Sequence, residues 1–198
     1  MRAILIVSTA GPVVFHTSMC SRDFVDNVVR LVESDYHAQI AFAVGFDGST
    51  GKSGLGGPDG GRKASAFQGR NPMDGATSRR AFGSGIVEGL IALFPEDHPW
   101  LGSTASEITL LWRKIDDRVI VFALETKDNL ALARSSMATL VTLLSDAFRC
   151  RGELPPLKDL QQKPELVQSV CDIIAPQNHL VLLDAAFARQ AVMKLASK

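Results

Sequence analysis

The residues with the most chemical promise lie in one glycine-rich stretch. Gly45 to Ser53 reads GFDGSTGKS and follows the apolar run Ile40 to Val44. A phosphate loop needs G-x-x-x-x-G-K-[ST], because that spacing wraps backbone N–H groups around phosphate oxygens and brings a lysine to them. Lys52 and Ser53 are in place, but the first glycine would have to stand at Phe46, and Gly45 comes one residue early. Leu180 to Asp184 (LVLLD) has the form of the second, magnesium-binding motif. The apolar helix that must follow Lys52-Ser53 is missing. GLGGPDGGRK stands there instead, and such a stretch cannot propagate a helix. A P-loop nucleotide-binding protein is therefore the remote alternative.

The other reactive side chains form no constellation. His16, His37, His98 and His179 are scattered, without the paired spacing of a metal site. Ser84 sits in GSG and not in the G-x-S-x-G of a nucleophile elbow. Asp116-Asp117 is a carboxylate pair, but between two β-rich runs it reads as turn chemistry. Cys20, Cys150 and Cys171 have neither knuckle nor redox spacing and read as free thiols in a reducing, cytosolic compartment. Arg62-Lys63 and Arg79-Arg80 read as solvating charges. We assign no catalytic residue, metal ligand or cofactor-binding residue, and expect no cofactor and no enzyme.

The elements that would position any site follow from patterning. The 198 residues suit one domain with a sizeable core. Lys+Arg and Asp+Glu both number 21, so no basic excess points to a nucleic-acid partner. The apolar N-terminus MRAILIVSTAG falls far short of the roughly 20 residues that span a bilayer. Ala3 to Val7 reads as a strand buried on both faces. Gly11-Pro12 turns the chain into a short second strand at Val13 to His16. Ser21 caps an amphipathic helix running to Tyr36, with Phe24, Val25, Val28, Val29 and Val32 on its apolar face. Ile40 to Phe46 reads as a short strand or an apolar tail.

Residues 45–85 are crowded with Gly, Ser, Asp, Asn and Arg. They cannot bury enough surface to offset the entropy of ordering them, so they read as a long disordered insertion. Ile86 to Phe94 is expected to be a strand. Glu107 to Ile115 and Arg118 to Leu124 form a hairpin about Asp116-Asp117. Asn129 to Arg149 is the strongest helix, with Asp128 or Asn129 as its cap, Leu154 to Leu160 a linker, and Glu165 to Ile174 a helix opened by Pro164. Asp184 to Leu195 is a terminal helix. The order is β–β–α–(insertion)–β–β–β–α–α. It implies an α+β fold with an antiparallel sheet covered by helices on both faces. The Asn129 helix carries more apolar surface than one face needs. Leu130, Leu132, Met137, Leu140 and Leu144 are therefore candidate subunit-interface residues.

Several segments carry a resemblance. They are the opening MRAILIVST, the helix SRDFVDNVVRLVES, the long polar insertion, RKIDDRVIVFALETKDNLALARSSMATLVTLLSDAF, and the closing ELVQSVCDIIAPQNHLVLLDAAF. Together they resemble the longin fold, a five-stranded antiparallel sheet between one helix and two or more C-terminal helices. More narrowly they resemble the small (sigma) subunits of the fifth adaptor-protein complex. The resemblance implies residues 1–198 as a single longin-like domain with an insertion at about 45–85. It implies a non-catalytic subunit of a heterotetrameric vesicle-coat adaptor. Its partners would be a large helical-solenoid subunit and a medium subunit, and spatacsin- and spastizin-like proteins. It would be cytoplasmic and peripheral on late endosome and lysosome membranes. Some adaptor small subunits bind acidic dileucine signals through a basic residue after the first hairpin turn. Here that hairpin reads Gly11-Pro12-Val13-Val14-Phe15, and no cargo-binding residue is carried over. Longin domains also occur in small-GTPase regulatory complexes, such as exchange and planar-polarity effector complexes, and that is the alternative.

Overall fold

A computed structural model describes residues 1–10, 13–17, 20–47, 87–101, 106–150 and 152–195, with backbone only for 41–47. Five strands form one sheet: β1 (Ala3–Ser8), β2 (Val13–His16), β3 (Val87–Leu93), β4 (Ile108–Ile115) and β5 (Arg118–Glu125). Their order is β2-β1-β5-β4-β3, and every neighbouring pair is antiparallel. The helices are α1 (Arg22–Asp47), α2 (Leu130–Phe148), α3 (Leu157–Gln162), α4 (Pro164–Ile174) and α5 (Ala185–Leu195). This is the expected longin-like arrangement.

The two central strands are the two most apolar, because they are covered on both faces. In β1, Ala3, Leu5 and Val7 face α1, while Ile4 and Ile6 face the C-terminal helices. In β5 the same alternation sets Val119, Val121 and Ala123 against Ile120, Phe122 and Leu124. Two hydrophobic layers therefore meet back to back across the sheet. The β4–β5 hairpin pairs Ile115 with Arg118, which leaves Asp116 and Asp117 as a two-residue turn. Asp116 has φ 54°, the left-handed backbone that a tight hairpin demands and Asp tolerates.

One contact fixes α1 on the sheet. The fully buried indole of Trp112 donates from Nε1 to Asp35 Oδ2 of α1 at 2.8 Å. The ring lies flat against Gly89 on β3, where an added Cβ would stand 2.4 Å from Nε1. Tyr36 packs edge-on to the same indole at 6.1 Å between ring centres.

The local signals for α1 and α2 work as expected. Ser21 Oγ accepts the Phe24 N–H at 3.2 Å, and Asn129 Oδ1 accepts that of Leu132 at 3.0 Å. Asp128 is the neighbour that does not cap. Its carboxylate accepts the Glu125 N–H and pairs with the Met1 amino group at 2.7 Å.

Three expectations are corrected. The first helix does not end at Tyr36, and Ile40 to Phe46 is not a strand, since α1 continues to Asp47. Its apolar run is alanine-rich and free of proline, and a Gln39–Asp35 side-chain bond of 3.1 Å carries the helix across the junction. Residues 45–47 of the expected insertion are thus helical, and residues 48–86 lie outside the described residues. Finally, the linker at Leu154 to Leu160 contains α3. Pro156 precedes that helix, where a missing N–H costs nothing, and Leu160 is fully buried.

Candidate docking surfaces

The five apolar candidates on α2 divide. Met137, Leu140 and Leu144 are fully buried in the chain's own core, so they are not surface residues of this chain. The surplus apolar surface of α2 is taken up by α4 and α5, whose Val167, Val170, Ile174, Ala188 and Val192 join the same cluster. Leu130 and Leu132 stay half-buried at the first turn of the helix.

The reactive residues are spent on structure or lie apart. Asp117 belongs to the hairpin: its carbonyl accepts both the N–H of Thr9, at 2.8 Å, and its hydroxyl, at 3.0 Å. His16 bonds the Thr17 carbonyl through Nδ1 at 3.1 Å. The rings of His37 and His98 pack at a tilt against Tyr36 and Trp100. Among the described residues no group of three metal-ligating side chains converges. The thiols are free, and burial pushes Cys171 up to about 12 and raises Cys20 as well. The phosphate-loop reading loses its context. Ile40 to Asp47 is helix where a strand is needed, and Leu180 to Leu183 has no regular structure. Asp184 is a helix cap, accepting the Phe187 N–H at 2.9 Å. Lys52, Ser53, Arg62, Lys63, Arg79, Arg80 and Ser84 lie outside the described residues.

Polar groups that the patterning did not single out hold the frame. Glu88 on β3 clamps two guanidinium groups, Arg113 of β4 at 2.6 Å and Arg134 of α2 at 2.8 Å. Ser145 Oγ donates to the Cys150 carbonyl at 2.6 Å and accepts the Gly152 N–H at 2.7 Å, closing the end of α2. No helix among the described residues is long and apolar enough to cross a membrane.

Two surface hollows stand out among the described residues. One of about 510 Å³ lies between the end of α2, α3 and the start of α4, lined by Phe148, Arg149, Asp159, Lys163 and Leu166. The other, about 310 Å³, lies between α1 and the ends of β1 and β5, floored by Val7, Val29, Val32 and Val119. Apolar side chains also stand out from the body. Leu182 is 87% exposed and Phe187 65% exposed. The sequence reading missed both, although Phe187 falls off the Ala188–Val192 stripe that α5 buries.

No protein-family model matches the sequence, and no curated protein matches it. Among solved structures, the chain is similar to a chain in a homology model of the full-length AP-3 complex in a stretched open conformation. The match has a TM-score of 0.53 at 12% identity and covers 100% of this chain and 94% of that one. At that identity the likeness is one of fold.

Proposed function

We propose that the chain is a non-catalytic small subunit of a heteromeric vesicle-coat adaptor. The observation that carries this reading is the end-to-end match of fold to a chain of the AP-3 complex, at a TM-score of 0.53 over the whole of this chain. The reactive groups support it, since the described ones serve caps, turns and clamps. Within that class we favour the sigma subunit of the fifth adaptor complex, on the family-like segments quoted above. By the same resemblance its partners are a large helical-solenoid subunit, a medium subunit and spatacsin- and spastizin-like proteins, at late endosome and lysosome membranes. On this reading residues 1–198 are one longin-like unit interrupted by the segment 48–86. Leu130 and Leu132 remain the candidate interface residues on α2.

The test is affinity purification of the full chain from cells, with partners identified by mass spectrometry and the assembly sized by gel filtration. Stoichiometric recovery of a large helical-repeat subunit and a medium subunit is expected. Recovery with a small GTPase and a second longin protein instead would replace this reading with the GTPase-regulator one. A free monomer in cell extracts would end it.

A further inference from the structure

Among the described residues, only Arg118 has buried side-chain polar atoms without a hydrogen-bond partner. Its side chain is 9% exposed, and neither Nε nor Nη1 finds an acceptor. The Asp117 carboxylate comes within 3.1 Å of Nε, ion-pair distance, but is not aligned to accept the N–H. Asp117 is itself 56% exposed, so water screens the pair.

Its place in the sheet explains why the chain does not reach it. Arg118 opens β5, opposite Ser8 on one side and Ile115 on the other. Alternation puts it on the face of Ile120 and Phe122, the side of the C-terminal helices. Ser8 Oγ already accepts the Ala10 N–H at 3.2 Å. The segment 48–86 is a poor source of carboxylates. It holds Lys52, Arg62, Lys63, Arg70, Arg79 and Arg80 against only Asp59 and Asp74.

A guanidinium out of water with unmet donors is strongly unfavourable, and an apolar residue in its place commonly gives a more stable chain. The rest of β5 from Val119 to Leu124 is apolar. We propose that Arg118 is a receptor for a single carboxylate presented by a protein partner, so that this end of the sheet is a docking point. The planar fork of a guanidinium matches a carboxylate in bidentate geometry. One guanidinium beside one Asp favours a monoanion over a phosphate dianion. Asp117, half in solvent, swings away as the incoming carboxylate takes its place. The inference stands on Arg118 and not on the adaptor reading, which would only say which protein presents the group.

The test uses the full chain and four probes, titrated into the millimolar range. They are a capped peptide with one central Glu, its Gln counterpart, a peptide whose only carboxylate is its C-terminus, and inorganic phosphate. The readouts are the Arg118 Nε–Hε resonance and thermal melting of the wild type, Arg118→Met and Arg118→Lys. The Glu peptide is expected to shift the resonance and the Gln peptide to leave it in place. Arg118→Met should weaken Glu-peptide binding at least tenfold and, without peptide, melt a few degrees higher. Arg118→Lys should fold and bind weakly. The free-terminus peptide separates a side-chain carboxylate from a terminal one, and either result supports a carboxylate receptor. An Arg118→Met chain that melts lower or fails to fold would show the guanidinium satisfied internally and overturn the proposal. So would a silent resonance, or phosphate binding as well as the carboxylates. None of these failures touches the purification result that decides the adaptor reading.

Discussion

Gly89→Ala puts a methyl where the structure has no room. The new Cβ would stand 2.4 to 2.6 Å from Trp112 Nε1, Cε2 and Cζ2, far inside van der Waals contact. Trp112 is fully buried and cannot simply retreat. Overpacking of this kind costs about 1–3 kcal/mol. A displaced indole also loosens its bond to the Asp35 carboxylate, and hydrogen bonds to charged groups contribute about 1.5–3 kcal/mol. The lower chain entropy of Ala returns about 0.5–1 kcal/mol. The net loss is thus about 1.5–5.5 kcal/mol, well within reach of urea denaturation followed by circular dichroism. The decisive comparison is a double-mutant cycle with Trp112→Ala, which removes the whole indole. In that background Gly89→Ala should cost less than about 0.5 kcal/mol, because the atoms the methyl would strike are gone. Equal cost in both backgrounds, or a stable Gly89→Ala single variant, would refute the account of how α1 is fixed on the sheet.

Other perturbations test separate parts of the structure. Asn129→Ala should cost about 1 kcal/mol, read as a lower urea midpoint with unchanged slope, because one N-cap bond is lost. Cys171 is raised from 9.0 to about 12, so the folded state keeps its proton after the unfolded state has released it. Stability conferred by that thiol is therefore fully present below pH 9 and falls between pH 9 and 12 at about 1.4 kcal/mol per pH unit, a slope that Cys171→Ala should reduce. Leu140→Ala should cost about 2–5 kcal/mol, since the residue is fully buried. Phe187→Ser and Leu182→Ser should stay within about 0.5 kcal/mol of wild type in the same denaturation assay, and larger losses would place these side chains in the core.

What was legible in the sequence was local. The cap at Ser21, a cap at Asp128 or Asn129 (it is Asn129), the start of α4 at Pro164 and the hairpin at Asp116-Asp117 each depend on a few adjacent residues and are legible in them. The continuous apolar run of β1 announces burial on both faces and with it the layering. Ambiguity entered where periodicity is silent. A seven-residue apolar run such as Ile40 to Phe46 fits strand and helix equally, and only its alanines and the Asp35–Gln39 bond favour helix. The proline pair before α3 was taken for a linker, although proline is at home just before a helix. The fate of α2 was not legible at all, because Leu140 and Leu144 are buried by α4 and α5 from tens of residues away. Gly89 gave no signal either: its necessity exists only once Trp112 is paired beside it.

The same distinction between local and distant causes bears on where function can reside. Polar side chains within the body tie its parts together: half-buried Asp35 anchors α1, half-buried Glu88 ties β3 to β4 and α2, and buried Ser145 closes α2. Each has a partner contributed by another part of the same chain, so each is explained without a second molecule. Arg118 is more deeply buried than Asp35 or Glu88, yet its Nε and Nη1 have no hydrogen-bond partner. Leu182 and Phe187 present the complementary case, apolar side chains left in water beside a helix whose own apolar stripe is already buried. Folding alone accounts for neither an unmet donor inside nor unmet apolar surface outside. Both suit the subunit role proposed above, in which a partner would cover them.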